Sequence, residues 1–336
     1  MADIGGTNAR FGWVEAPGRA PCHVRSLPTA GFPGPAQAMT LYLETLPQEC
    51  RDRWLAAQRH AGWALATAVD GDRIEMTNNA WRFSRREEAQ RLGLSALHVY
   101  NDFEALACAL PGLKPAQWRS WDGRAPSLQG PLAVIGPGTG LGVAGMVPTA
   151  RGWQPLPGEG GHMTLSAHDD FEAEVLRVAR LQFPHVSGER LLSGIGLPLL
   201  HECAARARGE QAAPRSTEEV VEHGLGGDPA CRQTLDLFCA MLGAYAGNVA
   251  LALGARGGVF IGGGLVPRLG ELFFSSRFRE RFEHKGRFSG YLAAIPTVLI
   301  TDTMVALHGV AAAVAAGDAA PLGREAASAD LSSAPT

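Results

Sequence analysis

Apolar positions along the chain follow two spacings. Trp63 to Val69 is a short apolar run that reads as a buried parallel strand. Leu97 to Tyr100, Leu132 to Ile135, Val143 to Val147, Val259 to Ile261 and Thr297 to Ile300 read as further strands. Between them the period changes to that of a helix. Ala36, Met39, Leu43 and Leu46 share one side of a helix over 36–46, and Val175, Leu176, Val178 and Ala179 mark another over 171–181. Arg86 to Leu92, Phe103 to Leu110 and Met304 to Ala316 read as shorter helices. The longest helical segment, Ala230 to about Gly254, is mostly apolar and therefore central. At the start, Asp3 to Val14 reads as strand, tight turn, strand, with Gly5-Gly6 expected to supply positive φ angles. Strands alternating with helices predict an α/β protein. A second module begins near Pro111, and Gly317 to Thr336, rich in Ala, Ser, Pro and Asp, reads as a disordered tail.

Length and charge narrow the class. The 336 residues suffice for two domains with separate cores. A formal net charge of −3 with scattered Lys and Arg leaves no footprint for nucleic acid. Asp3 falls where the apolar part of a signal peptide would begin, and Asn248 and Arg256 interrupt the most apolar stretch, Met241 to Ile261. A membrane role is therefore not expected. Six cysteines without a C-x-x-C pair argue against structural zinc and a disulfide framework, and favour reduced thiols and a cytoplasmic location.

The glycines carry more information, because they cluster after predicted strands. Asp3 to Arg10, Gly136 to Gly142 and Gly262 to Gly264 are three such turns. Backbone N–H groups can ring a polyanion only where no side chain intervenes. None of the three is a Walker A loop, and Gly136 to Gly142 leads into a strand rather than the helix a dinucleotide fingerprint requires. Phosphates would be held between hairpin turns. Asp3, just before the first turn, suits a hydrated Mg²⁺, although an Asp there can equally order the turn.

Polar candidates flank these turns. Asn101-Asp102 stands where a strand passes into a helix, a place for an N-cap and also for a carboxylate that takes a proton from an attacking hydroxyl. Gly158-Glu-Gly-Gly-His162 sets a carboxylate and an imidazole on bare backbone, a combination suited to a polyhydroxylated ligand. Glu189 begins a short helix, where its charge also favours the helix dipole.

Taken together, these segments resemble a known family. Asp3-Ile-Gly-Gly-Thr-Asn-Ala-Arg, Thr77-Asn-Asn-Ala-Trp-Arg-Phe-Ser84, Asn101-Asp-Phe, Gly138-Thr-Gly-Leu-Gly142, Leu156-Pro-Gly-Glu-Gly-Gly-His162, Glu189-Arg-Leu-Leu-Ser-Gly194 and Phe260-Ile-Gly-Gly-Gly-Leu-Val-Pro-Arg268 are similar to bacterial glucokinases and occur in that family's order. The resemblance implies a two-lobed, actin-like (ribonuclease-H-like) α/β fold with ATP in the interlobe cleft. The expected small lobe is 1–111 plus about 303–316, and the large lobe 112–302. It implies Mg²⁺-dependent transfer from ATP to the 6-hydroxyl of glucose, and a homodimer. Asp102 would be the general base, and Asn101, Glu159, His162 and Glu189 would hold the sugar. Asp3, Gly5, Gly6 and Thr7 would form one phosphate loop and Gly138, Thr139 and Gly140 the other, with Gly262, Gly263 and Gly264 bordering the adenosine.

Two departures stand out. Asn79 replaces a histidine common in relatives and carries no assigned chemistry. Only Met1 and Ala2 precede Asp3, fewer residues than a core strand of about five needs, so an upstream start is expected. Rival readings are a kinase for another hexose or amino sugar, a sugar-responsive regulator and an actin-like structural ATPase. The regulator would want a DNA-binding extension, and the structural ATPase would lack the Glu159, His162 and Glu189 set.

Overall fold

The computed structural model describes residues 1–211 and 213–318. Strands β1 (Ala2–Ile4), β2 (Asn8–Trp13) and β3 (Cys22–Pro28) open the chain and are followed by helices α1 (Pro35–Glu44) and α2 (Gln48–Ala56). Next come β4 (His60–Leu65), β5 (Arg73–Glu75), β6 (Arg82–Ser84), α3 (Arg85–Leu92), β7 (Ala96–Asn101) and α4 (Asp102–Ala109). The second half contains β8 (Trp118–Ser120), β9 (Leu132–Pro137), β10 (Leu141–Thr149), β11 (Gly152–Leu156), α5 (Asp170–Ala179), α6 (Gly188–Leu191), α7 (Leu197–Ala207), α8 (Thr217–Leu225) and α9 (Pro229–Leu253). It ends with β12 (Gly258–Ile261), α10 (Glu271–Ser275), α11 (Phe278–Glu283), α12 (Ser289–Ala293), β13 (Thr297–Ile300) and α13 (Val305–Asp318). Gly317 and Asp318 close this last helix, and the rest of the expected tail lies outside the described residues.

Two sheets share one design. The first has the order β3-β2-β1-β4-β7, with β1, β4 and β7 parallel and β2 and β3 antiparallel. The second runs β11-β10-β9-β12-β13-β8 and repeats that order and those directions in its first five strands, with β8 added antiparallel at the edge. This duplicated arrangement is the two-lobed, actin-like fold. Because side chains alternate along a strand, each sheet faces two cores. In β4, Ala61, Trp63 and Leu65 join the core under α1. Ala64 packs with Val310 and Val314 on the opposite side. In β9, Ala133 and Ile135 join the large core around α9, while Leu132 and Val134 pack towards α4.

Helix α4 thus lies between the sheets. Ala105 packs with Ala64, Val310 and Val314, whereas Ala107, Ala109 and Leu110 pack with Leu132, Val134 and Met146. α4 and α13 cross so closely that a Cβ added to Gly309 would lie 1.7 Å from the Ala105 carbonyl oxygen.

Two expectations need correction. The strand expected over 63–69 is β4, three residues earlier at its start and ending at Leu65. Beyond it Thr67 turns away, its hydroxyl donating to the Glu75 carbonyl oxygen. Neither Gly5 nor Gly6 has a positive φ. The turn closes through a Gly5 N–H bond to the Asn8 carbonyl oxygen, and what Gly6 provides is space, since a Cβ there would sit 2.7 Å from Asn78 Cβ.

The substitution Gly309→Ala forces α4 and α13 apart. It is expected to lower unfolding free energy by about 1–3 kcal/mol, the usual cost of overpacking, as read from urea denaturation.

Candidate active site

Parallel register ends neighbouring strands of each sheet side by side. Ile4 pairs with Leu65 and Leu65 with Asn101, so β1, β4 and β7 end together at Gly5, Ala66 and Asp102. In the second sheet Ile135 pairs with Ile261, so β9 and β12 end side by side at Gly136 and Gly262. Ligand clefts of open α/β sheets form at such carboxyl ends.

The Asn101-Asp102 junction divides its two roles between the residues. Asn101 is the N-cap of α4. Its Oδ1 accepts from the N–H groups of Phe103 (2.9 Å) and Glu104 (3.3 Å), and its Nδ2 donates to the Thr67 carbonyl oxygen at 3.1 Å. The cap is therefore not Asp102. Asp102 opens the helix, with Oδ1 accepting from Phe103 N–H at 3.0 Å. Burial raises its pKa to about 7, helped by the nearby carboxylates of Asp3 and, less, Glu159. Near neutrality it therefore exists both as acid and as base.

Asp3 lies on the same face of the first sheet. Its cross-strand partner Arg10 approaches to 3.8 Å and also donates to the Thr303 carbonyl oxygen at 2.6 Å. Burial still lifts the Asp3 carboxyl above its ordinary range, with Arg10 opposing. The Asp3 carboxylate raises the pKa of Asp102, and crowded negative charge of this kind is a setting a hydrated divalent cation relieves, so Asp3 fits the expected Mg²⁺. Thr7 lies exposed at the start of the return strand, its carbonyl oxygen accepting from Thr29 N–H.

The second and third glycine turns interlock. Gly262 N–H donates to the Ile135 carbonyl oxygen and Leu265 N–H to that of Pro137. Gly263 has φ +75°, and a Cβ there would lie 2.3 Å from the Pro137 carbonyl oxygen. The turn Gly138-Thr139-Gly140 joins β9 to β10 as a hairpin, as expected. Glu189 is fastened to it, with Oε2 accepting from Leu141 N–H at 2.9 Å, while Gly194 N–H donates to the Gly138 carbonyl oxygen at 2.7 Å.

Glu159 and His162 occupy a neighbouring loop and are largely exposed, with His162 Nε2 at 3.9 Å from Glu159 Oε2. Glu159 bridges Val143 of β10, and Thr164 bridges Ser187, which places this loop beside α6 and Glu189. Gly161 permits the approach, because a Cβ there would meet the Leu141 carbonyl oxygen at 1.8 Å. The Tyr245 hydroxyl of α9 donates to the Gly160 carbonyl oxygen.

Asp102 thus lies near Asp3 and Glu159, and Glu189 is bonded to the hairpin turn, though some of these residues have structural duties that sequence reasoning did not assign. Asn101 and Glu189 hold backbone. Asn79 was passed over: its Nδ2 donates to the Gly5 carbonyl oxygen at 3.1 Å and its Oδ1 accepts from Trp81 N–H at 2.8 Å, so it braces the first glycine turn. Its presence in the Thr77–Ser84 motif was the available signal. A cavity of about 850 Å³ opens behind Glu189, lined also by Arg190, Ile195, Leu199 and Arg215. Between α8 and α9, His223, Asp228 and Cys231 place ligand atoms within 4.8 Å of one another, but Arg215 already supplies a positive charge there, contacting His223 and lying 3.5 Å from Asp228.

Comparison with known proteins decides the family. The family model described as Glucokinase matches residues 1–317. The chain belongs to the glucokinase family. It is 46% identical to the glucokinase of Paramagnetospirillum magneticum, over 94% of this chain and 96% of that one. With the glucokinase of Chromobacterium violaceum the identity is 47%, over 94% and 88% of the two chains. The crystal structure of a glucokinase from an Antarctic psychrotroph superposes with a TM-score of 0.83 at 37% identity, covering 93% of this chain and 97% of that one.

The electrostatics of this glucokinase-family cleft make a direct prediction. Asp102 should titrate with a midpoint near pH 7 in carboxyl-carbon NMR, and Asp3→Asn should move that midpoint down by removing a neighbouring negative charge. A midpoint near 4 in the unmodified protein would contradict the burial argument.

Proposed function

We propose that the protein is a cytoplasmic glucokinase that transfers the terminal phosphoryl group of ATP to the 6-hydroxyl of D-glucose, the first step of glycolysis. The observation that supports this reading is Asp102, a carboxylate whose proton affinity burial raises near Asp3 and Glu159, next to Phe103, whose ring rests on Gly136 and Gly142 flanking the hairpin turn. Phosphoryl transfer needs alignment and charge neutralisation more than covalent participation by protein.

In this reading Asn101, Glu159, His162 and Glu189 bind the sugar hydroxyls, and Asp102 accepts the 6-hydroxyl proton as its oxygen attacks phosphorus. Phe103 N–H, bonded to Asp102 Oδ1, orients the carboxylate. The turns at Gly5-Gly6-Thr7 and Gly138-Thr139-Gly140 hold the phosphates through backbone N–H groups. Gly262 to Gly264 border the adenosine. Magnesium, bound with the nucleotide, would offset phosphate charge, and Asp3 would hold its water shell. The lobes are 1–111 with about 303–316, and 112–302, closing over the sugar to exclude water. The active form is a homodimer, which sedimentation analysis tests.

A coupled assay with several hexoses and nucleotide donors tests the reaction, and glucose with ATP should be the preferred pair. Asp102→Asn is expected to lower kcat by about 10²–10⁴ with glucose affinity nearly unchanged. An unchanged kcat removes Asp102 from the role. Asn79→Ala, by freeing the Gly5 carbonyl oxygen, should raise the KM for ATP roughly 5-fold, the equivalent of about 1 kcal/mol for one hydrogen bond, with the KM for glucose little altered.

A further inference from the structure

The residue after Asp102 makes an unusual contact. Gly136 and Gly142 face each other directly across the β9–β10 hairpin. A Cβ on Gly142 would lie 2.0–2.2 Å from three atoms of the Phe103 ring, and one on Gly136 2.4–2.5 Å from two others. The ring therefore lies on bare backbone, filling the space that two cross-strand side chains would occupy. One turn along α4, Leu106 does the same on the third glycine turn, its Cδ2 lying 3.1 Å from where a Gly262 Cβ would be. Residues three apart share a helix face, so a single face of α4 rests on the strand ends that lead into two glycine turns.

The geometry points to Phe103 as a positioning residue, a spacer that sets the distance between the Asp102 carboxylate and the Gly138-Thr139-Gly140 turn. The inference rests on the reading of Asp102 as the base. Asp102 and Phe103 are adjacent in the first turn of a helix, so a shift of the ring moves the carboxylate with it. The hairpin turn is only two residues beyond Gly136 on one strand and begins two residues before Gly142 on the other. No flexible side chain stands between ring and hairpin backbone to absorb a change in size. Phe103 touches no reacting atom, and its effect is on alignment, where an error of about 1 Å can cost 10²-fold in rate.

The test uses the full chain with Phe103→Leu, Gly142→Ala and the double variant. Turnover is normalised to active sites by calorimetric glucose titration, and thermal midpoints are recorded. Phe103→Leu is expected to lower kcat about 10-fold and Gly142→Ala up to about 10²-fold, each with the glucose Kd within about 3-fold of the parent. The double variant should be clearly more active than the product of the two single effects, because leucine vacates the space the new methyl takes. A purely structural role would lower thermal midpoints and leave kcat per site intact. That result, a kcat for Phe103→Leu within 2-fold of the parent, or strictly multiplicative effects in the double variant would overturn the inference. Should Gly142→Ala fail to fold, the Phe103→Leu split between kcat and Kd decides alone. Asp102→Asn run in parallel separates the two readings: full activity there sinks the base assignment, whereas its loss beside an unaffected Phe103→Leu sinks only the spacer.

Discussion

Helix α4 is packed on both sides, and the site depends on that double seat. Against one side α13 comes so near that Gly309 has room for no side chain beside the Ala105 carbonyl oxygen. Against the other, Phe103 and Leu106 rest on Gly136, Gly142 and Gly262. Contacts made through backbone are short and offer few alternative packings, because no rotamer change can relieve them. A helix held this way presents its first turn at a defined place. The first turn carries Asp102.

Electrostatics follow from the same placement. β1 and β7 flank β4 in parallel, so Asp3 and Asp102 arrive at the same sheet edge with like charges. Burial is the largest influence on each carboxyl, and Arg10 only partly offsets it at Asp3. An arrangement that disfavours negative charge in the free protein is ready for a ligand that brings cations, hydroxyl protons or both. The polar work around it is divided. Asn101 fixes the start of α4 to Thr67, Glu189 fixes the hairpin turn, and Asn79 fixes Gly5. Each side chain orders backbone at a strand end or turn, so the glycine turns and the start of α4 are held in shape by side-chain hydrogen bonds.

Much of this was legible in the chain. The helices expected over 36–46, 86–92, 103–110 and 171–181 and the long one from 230 all form, within a few residues at the ends, as do the strands at 97–100, 132–135, 143–147, 259–261 and 297–300. Their apolar periods are strong because each is covered by a core. What escaped is what lacks such a period. β3 has mostly exposed positions, β8 is a three-residue edge strand, and α7 and α8 lie in a stretch for which no element was expected. Glu172 of α5 is buried against an equally buried Arg281 from α11. Nothing within either local segment announces a pairing across more than a hundred residues.

The glycines mark the division most clearly. By itself the sequence determined that backbone had to be exposed at three strand ends, and that acidic and amide residues stood beside them, because composition and local spacing are properties of the chain alone. It suggested the wrong reason at Gly5-Gly6, a left-handed turn, where the requirement is room for Asn78. It could not say that Gly136 and Gly142 face each other, that an aromatic ring covers them, or that Asp3 raises the proton affinity of Asp102. Those facts belong to strand register and to the docking of α4 between two sheets. Only the tertiary structure decides them, because steric exclusion and Coulomb interaction depend on distance in space, and residues far apart along the chain acquire that distance only when the sheets assemble.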